Sequence, residues 1–185
     1  MSRIAFAGKM RSGKDTAADI ILKKYPYYST LAFADGIKKV IEFCFPEELK
    51  EGKKPREFYQ FIGQQLRSLN PQVWVNFTNR ELQELKDSSN VLITDCRQLN
   101  EAQFLKENGF LIIKVEADDN KRLQRIKDSN EDITIEQFYH STETTVDLIK
   151  PNFLITNNGT LDELREKVEK LLQDLKFREE RRQKL

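Results

Sequence analysis

Two cysteines and one histidine are all the thiol and imidazole groups that the 185 residues supply. Cys44 and Cys96 have no framework spacing and no second Cys/His cluster, which excludes a disulfide scaffold and a zinc site. His140, with no cysteine or acid at ligand spacing, reads as a surface residue rather than a catalyst, and Glu143 takes no role. Charge of one sign is also missing: 31 Lys+Arg face 30 Asp+Glu, which argues against broad adhesion to nucleic acid or membrane. There is no long apolar run. The opening stretch, Met1 to Gly8, is too short for a signal segment or a membrane span, and the expected location is the cytoplasm. Internal repeats and low-complexity linkers are absent as well.

What remains is enough for a core: 38% of residues are apolar and 33% charged, in a length that suits a single domain over 1–185. Short apolar runs at Arg3 to Ala7, Ser29 to Phe33, Val91 to Thr94, Leu111 to Val115 and Phe153 to Ile155 read as five strands. Between them lie helical patterns. One follows Gly13 and stops before Pro26, and one, capped by Asp35, carries Ile37, Val40, Ile41 and Phe43. Others run from Arg56 to Leu69, Gln72 to Lys86, Leu99 to Glu107 and Leu161 to Leu175. Pro46 to Pro55 is a polar connection, 118–150 is polar and irregular, and Phe177 to Leu185 is a charge run. Strands that alternate with helices and are apolar throughout predict a three-layer α/β domain, its parallel sheet covered on both faces.

One motif carries chemistry. Gly8-Lys-Met-Arg-Ser-Gly-Lys-Asp-Thr16 follows the first strand and opens the first helix, matching the phosphate-loop pattern G-x4-G-K up to Lys14. Gly8 and Gly13 allow the backbone to turn its N–H groups inward, the helix adds its positive end, and Lys14 adds a full charge for β- and γ-phosphate oxygens. Arg11 and Ser12 fall inside the same loop. Asp15 stands where Ser or Thr normally gives Mg²⁺ a hydroxyl, so either the Asp15 carboxylate or the Thr16 hydroxyl serves the metal. No Asn-Lys-x-Asp motif supports a GTPase. Val91-Leu-Ile-Thr-Asp95-Cys-Arg97 ends in one acid and a nearby cation, which suits Mg²⁺ organisation and an anionic acceptor better than water activation.

The loop resembles that of the deoxynucleoside monophosphate kinases of bacteriophages, whose loops carry Arg-Ser-Gly-Lys-Asp-Thr. Weaker likenesses to the wider nucleotide kinases follow in the same order: Leu31-Ala-Phe-Ala-Asp-Gly-Ile-Lys38, Phe61-Ile-Gly-Gln-Gln-Leu-Arg67, Val73-Trp74, Thr94-Asp-Cys-Arg-Gln-Leu-Asn-Glu101 and Ile155-Thr-Asn-Asn-Gly-Thr-Leu161. The resemblance spans residue 4 to about 172. It implies a P-loop kinase with a five-stranded parallel sheet, an acceptor-binding helical segment over about 46–88 and a lid over about 118–150. It also implies ATP and Mg²⁺ as cofactor and metal, and a small nucleotide as the substrate of a monomer or homodimer. Phosphomevalonate and dephospho-coenzyme A kinases share this group, so the fold leaves the acceptor open. A partner-coupled ATPase is the competing class, and the charged tail is the one feature in its favour.

Within that frame the remaining roles carry alternatives. Arg97 clamps the acceptor phosphate or pairs with Glu101; Asp95 holds a Mg²⁺-bound water or caps the helix near Leu99. Arg67 is a second phosphate candidate, and Gln64 and Gln65 are candidates for reading a base edge. Trp74 and Phe61 either stack on a base or pack in the core. Asp35 and Lys38 fall near the acceptor, where a hydroxyl acceptor would want Asp35 as base. Among the lid cations, Arg125 and then Arg122 are expected to close over the transferring phosphoryl group, ahead of Lys121. Asn157 approaches adenine or merely turns the chain.

Overall fold

The computed structural model describes residues 2–52, 55–86, 89–129, 134, 138 and 145–183. Five parallel strands form one sheet: β1 (Arg3–Ala7), β2 (Tyr28–Leu31), β3 (Asn90–Cys96), β4 (Leu111–Glu116) and β5 (Phe153–Thr156), in the order β2-β3-β1-β4-β5. Among the described residues the α-helices that intervene or follow are α1 (Lys14–Lys24), α2 (Ala34–Cys44), α3 (Arg56–Leu69), α4 (Val73–Glu84), α5 (Leu99–Glu107), α6 (Asp119–Asp128) and α7 (Leu161–Gln183). β1 is central, and Ile4, Ala5, Phe6 and Ala7 are wholly buried, which is why its sequence does not alternate between apolar and polar.

The pleat sends alternate residues to two separate cores. Ala5, Ala7, Ile93 and Ile112 meet Ile37 and Ile41 of α2, Trp74 of α4 and Leu105 of α5. Ile4, Phe6, Leu92 and Ile113 meet Ala17 and Ile21 of α1 and Leu164 and Val168 of α7. This is the three-layer arrangement expected.

Several boundaries shift for local reasons. β2 ends at Leu31 rather than Phe33, because the N–H groups of Phe33 and Ala34 both donate to the Asp95 carboxylate, at 2.9 Å each, where α2 begins. Asp35 therefore lies in the first turn of α2 instead of capping it, and its Oδ2 accepts from the Ala32 N–H at 2.8 Å. Phe43, grouped with the buried face of α2 by pattern, is 90% exposed: six residues beyond Ile37, it falls on another face. The polar connection after Pro46 forms a 3₁₀ helix over Pro46–Gly52. The stretch expected to be irregular from 118 contains α6, whose ten residues carry all three lid cations; His140 and Glu143 lie outside the described residues. Among the described residues no helix is long and apolar enough to cross a membrane.

Candidate active site

The loop between β1 and α1 is bent by glycines at two places where a side chain has no room. Gly8 has φ 154°, and a Cβ there would stand 2.5 Å from the Val115 carbonyl oxygen. Gly13 has φ 99°, and its Cβ would collide with the Asn157 amide nitrogen. Arg11, at φ 61°, holds a left-handed conformation that costs a non-glycine residue about 1 kcal/mol or more. The bend brings the loop to α1, whose start carries no side-chain cap, leaving the positive helix end aimed into the loop. Lys14 is almost fully buried, with Nζ 3.0 Å from the exposed Asp15 carboxylate.

A cleft of about 840 Å³ opens over this loop at the carboxyl ends of the strands. Gly13, Lys14, Asp15 and Thr16 form its middle. One end is lined by Arg125, Asp128, Ser129, Asn157, Gly159, Thr160, Leu161 and Leu164. Ala32, Asp35, Lys38, Arg56, Tyr59, Thr94, Asp95 and Arg97 line the rest. Phosphate-loop donors therefore sit between an end with two leucines and an end with three cations.

At the cationic end lies a carboxylate pair, the half-buried Asp95 and the buried Glu101. Asp95 accepts the two α2 N–H bonds described above. Glu101 Oε2 accepts from the backbone N–H of Arg97 at 2.8 Å and of Gln98 at 3.0 Å, while Oε1 is 3.2 Å from Arg67 Nη2. Burial pushes the Asp95 carboxyl above its ordinary 3.8, against the two N–H bonds and Arg97. Burial, then the Asp95 charge, does the same to Glu101 from its ordinary 4.5. Burial, with Asp35 and Glu42, raises the Tyr59 phenol, and burial lowers the Arg125 guanidinium.

A raised carboxyl value in the fold means that this group's contribution to stability is full below its ordinary value and is lost as pH rises through the folded value. In Asp95→Asn, stability should therefore fall less as pH rises above about 4 than in the unaltered protein. Urea midpoints at rising pH measure it, and parallel curves would refute the assignment.

No cluster of three or more His, Cys, Asp or Glu able to hold a metal occurs among the described residues. Asp15, Thr16 and Asp95 nevertheless line one cleft beside the loop, a sparse oxygen set that fits Mg²⁺ held largely by phosphates and water.

Of the residues singled out from sequence, Arg11, Gly13, Lys14, Asp15, Thr16, Asp35, Lys38, Asp95, Arg97, Arg125 and Asn157 line the cleft. The others do not, for physical reasons. Gly8 shapes the loop from below. Ser12 is buried with its hydroxyl unpartnered, facing a smaller recess behind the loop. Arg67 pairs with Glu101, so the expected Arg97–Glu101 alternative gives way to an ion pair from α3. Trp74 is a core residue whose Nε1 donates to the Gly63 carbonyl at 3.1 Å, and Gln64 points to solvent. Arg122, expected over the phosphoryl group, is 2% exposed; Nε donates to the Met10 carbonyl at 2.7 Å and Nη1 to Asp119 at 2.7 Å. Asn157 also turns to the loop, donating to the Ser12 carbonyl at 2.8 Å. Asp95 caps α2, whereas α5 is capped by the reciprocal pair Gln98 and Glu101. Sequence reasoning missed Arg56 and Tyr59. Their i,i+3 spacing at the start of α3 was the available signal, but nothing local says that this turn reaches the cleft.

Comparison with known proteins agrees with the geometry. The shikimate kinase of Acinetobacter baumannii, solved with shikimate, superposes at TM-score 0.58 with 20% identity, covering 95% of this chain and 93% of that one. A gluconokinase of Sinorhizobium meliloti gives TM-score 0.56 at 13% identity, covering 96% and 97%. These likenesses establish the P-loop kinase fold. "Uncharacterized protein ORF76" of Ictalurid herpesvirus 1 is 31% identical over 108 residues, 57% of this chain, and the chain matches 44% of that protein's length. A protein of Acanthamoeba polyphaga mimivirus named "Putative deoxynucleotide monophosphate kinase" is 29% identical over 188 aligned positions, 80% of this chain and 97% of that protein. The model of the deoxynucleotide monophosphate kinase family matches residues 54–168, and the chain belongs to that family.

Proposed function

We propose that the chain transfers the γ-phosphoryl group of ATP to the phosphate of a deoxynucleoside monophosphate, giving the diphosphate and ADP. The observation that carries this reading is one cleft with a phosphate loop at its middle and Lys38, Arg56 and Arg97 at one end. A monophosphate ester has a second pKa of about 6, so at neutral pH it is already a dianion and needs no general base. The chain's work is then positioning and charge: Lys14 draws on the β- and γ-oxygens, and the loop N–H groups hold the phosphates of the donor. Arg97 and Arg56 bind the acceptor phosphate in line, while Asp35 and Tyr59 meet its sugar. Arg125 and Leu164 flank the base of ATP. Asp15, Thr16 and Asp95 would hold Mg²⁺ or its waters, and the ion would supply charge neutralisation at the phosphates when bound. In the same reading 46–88 belongs to the acceptor segment and 1–185 to one kinase domain, while most of the expected lid beyond Ser129 lies outside the described residues.

The test is the purified protein with ATP and Mg²⁺ against a panel of deoxy- and ribonucleoside monophosphates, with products separated by chromatography. ADP and a new deoxynucleoside diphosphate in equal amounts are expected. ADP without a second product would replace this reading with a partner-coupled ATPase.

Arg97→Met should raise KM for the acceptor about tenfold or more while KM for ATP changes by less than about threefold, since one lost charged hydrogen bond is worth roughly that factor. Equal rises in both constants would remove Arg97 from the acceptor site.

A further inference from the structure

Arg122 and Arg125 of α6 both donate to the backbone of the phosphate loop. In a peptide unit the N–H and C=O point in opposite directions, so a loop that turns its N–H groups inward must turn its carbonyls outward. Three consecutive carbonyls of the loop are all taken, while the Ser12 N–H stays within the loop on the Lys9 carbonyl at 3.1 Å. Met10 O accepts from Arg122 Nε at 2.7 Å, Arg11 O from Arg125 Nη1 at 3.0 Å, and Ser12 O from Asn157 Nδ2 at 2.8 Å. Arg125 Nη2 in turn donates to the Asn157 carbonyl at 2.8 Å, tying the β5–α7 turn to the same assembly. The middle carbonyl belongs to Arg11, the residue held at φ 61°.

Arg122 differs from Arg125 in being outside the cleft. It is 2% exposed, and its guanidinium lies 4.3 Å from the centre of the Phe138 ring. Its planar fork reaches the Met10 carbonyl and the Asp119 carboxylate from different nitrogens, which a lysine cannot do with one. Charge this deep is expensive when its only service is packing, because apolar residues of similar size usually fill such a space at no loss of stability.

We propose that Arg122 is a positioning residue for the nucleotide phosphates: by holding the Met10 carbonyl outward it keeps the loop N–H groups converged on the anion. It acts through the loop backbone and does not touch the phosphates. The inference rests on the reading of residues 8–16 as the donor phosphate site, and inorganic tripolyphosphate with Mg²⁺ probes that site without base or sugar.

The experiment compares Arg122→Met and Arg122→Lys with the unaltered protein, by calorimetric titration of tripolyphosphate and by steady-state kinetics. Expected are an approximately tenfold weaker tripolyphosphate affinity in Arg122→Met, a smaller loss in Arg122→Lys, a matching rise in KM for ATP, and an acceptor KM within about twofold. Variants that melt earlier yet bind tripolyphosphate like the unaltered protein would show Arg122 to be packing only, and would overturn the proposal. Should neither variant fold, the Arg122 Nε–H resonance of the unaltered protein decides: it must move when tripolyphosphate binds, and a fixed resonance overturns the proposal. No tripolyphosphate binding by the unaltered protein would overturn the phosphate reading itself, and the proposal with it.

Discussion

Replacing Lys14 by alanine is expected to lower kcat about a thousandfold while leaving the protein folded. Two unit charges 4 Å apart in a partly screened site interact by about 4 kcal/mol, and about 1.4 kcal/mol corresponds to each factor of ten in rate. Lys14 is buried at the start of α1 and lines the cleft, so its charge acts where little water competes with it. Its visible ion pair is to Asp15, whose side chain is 74% exposed, and such a pair adds little to stability. Thermal unfolding should therefore shift by only a few degrees. The check is product formation in single-turnover conditions at saturating ATP and acceptor. A loss of less than about tenfold would mean that another cation carries the phosphoryl charge.

Glu101→Ala is expected to have the largest effect on stability, about 3–5 kcal/mol, because it leaves Arg67 and two backbone N–H groups without their acceptor in a buried place. For a chain of this size that lowers the melting midpoint by roughly 10 °C. The double variant Glu101→Leu with Arg67→Met should recover much of the loss, since it removes both charges and fills the space. Calorimetry on the three proteins measures this, and a single-variant loss below about 1 kcal/mol would refute it. Activity should fall as well: Glu101 fixes the N–H of Arg97 at the entry to α5, so the acceptor KM should rise in Glu101→Ala more than the KM for ATP.

The sheet and the phosphate loop were legible because each writes its cause into neighbouring residues. A strand buried on both faces must be apolar at successive positions, and a loop that cradles phosphate must place Gly13 and Lys14 in direct succession. Arg67 and Arg122 show where local reading stops. Each has the right type and nearly the right position, yet its partner lies far along the chain. Glu101 is 34 residues from Arg67, and the Met10 carbonyl is 112 residues from Arg122. Arg56 and Tyr59 failed in the opposite direction: an ordinary first turn of a helix acquires its place in the cleft only through the packing of α2 on α3. Arginine is hard to assign from sequence because its fork serves a carbonyl, a carboxylate or a phosphate equally well.

The central place of β1 in the sheet also governs how the molecule can be made. Ile4 sits beside Leu92 on one side and Leu111 on the other, so β1 has no sheet neighbour until β3 (Asn90–Cys96) has been made. Contacts of such long sequence separation slow folding, and the nascent first half must pass that interval with an apolar segment exposed. The phosphate loop follows β1 directly, so fragments ending before β4 would carry the whole motif without one of the two strands that flank β1.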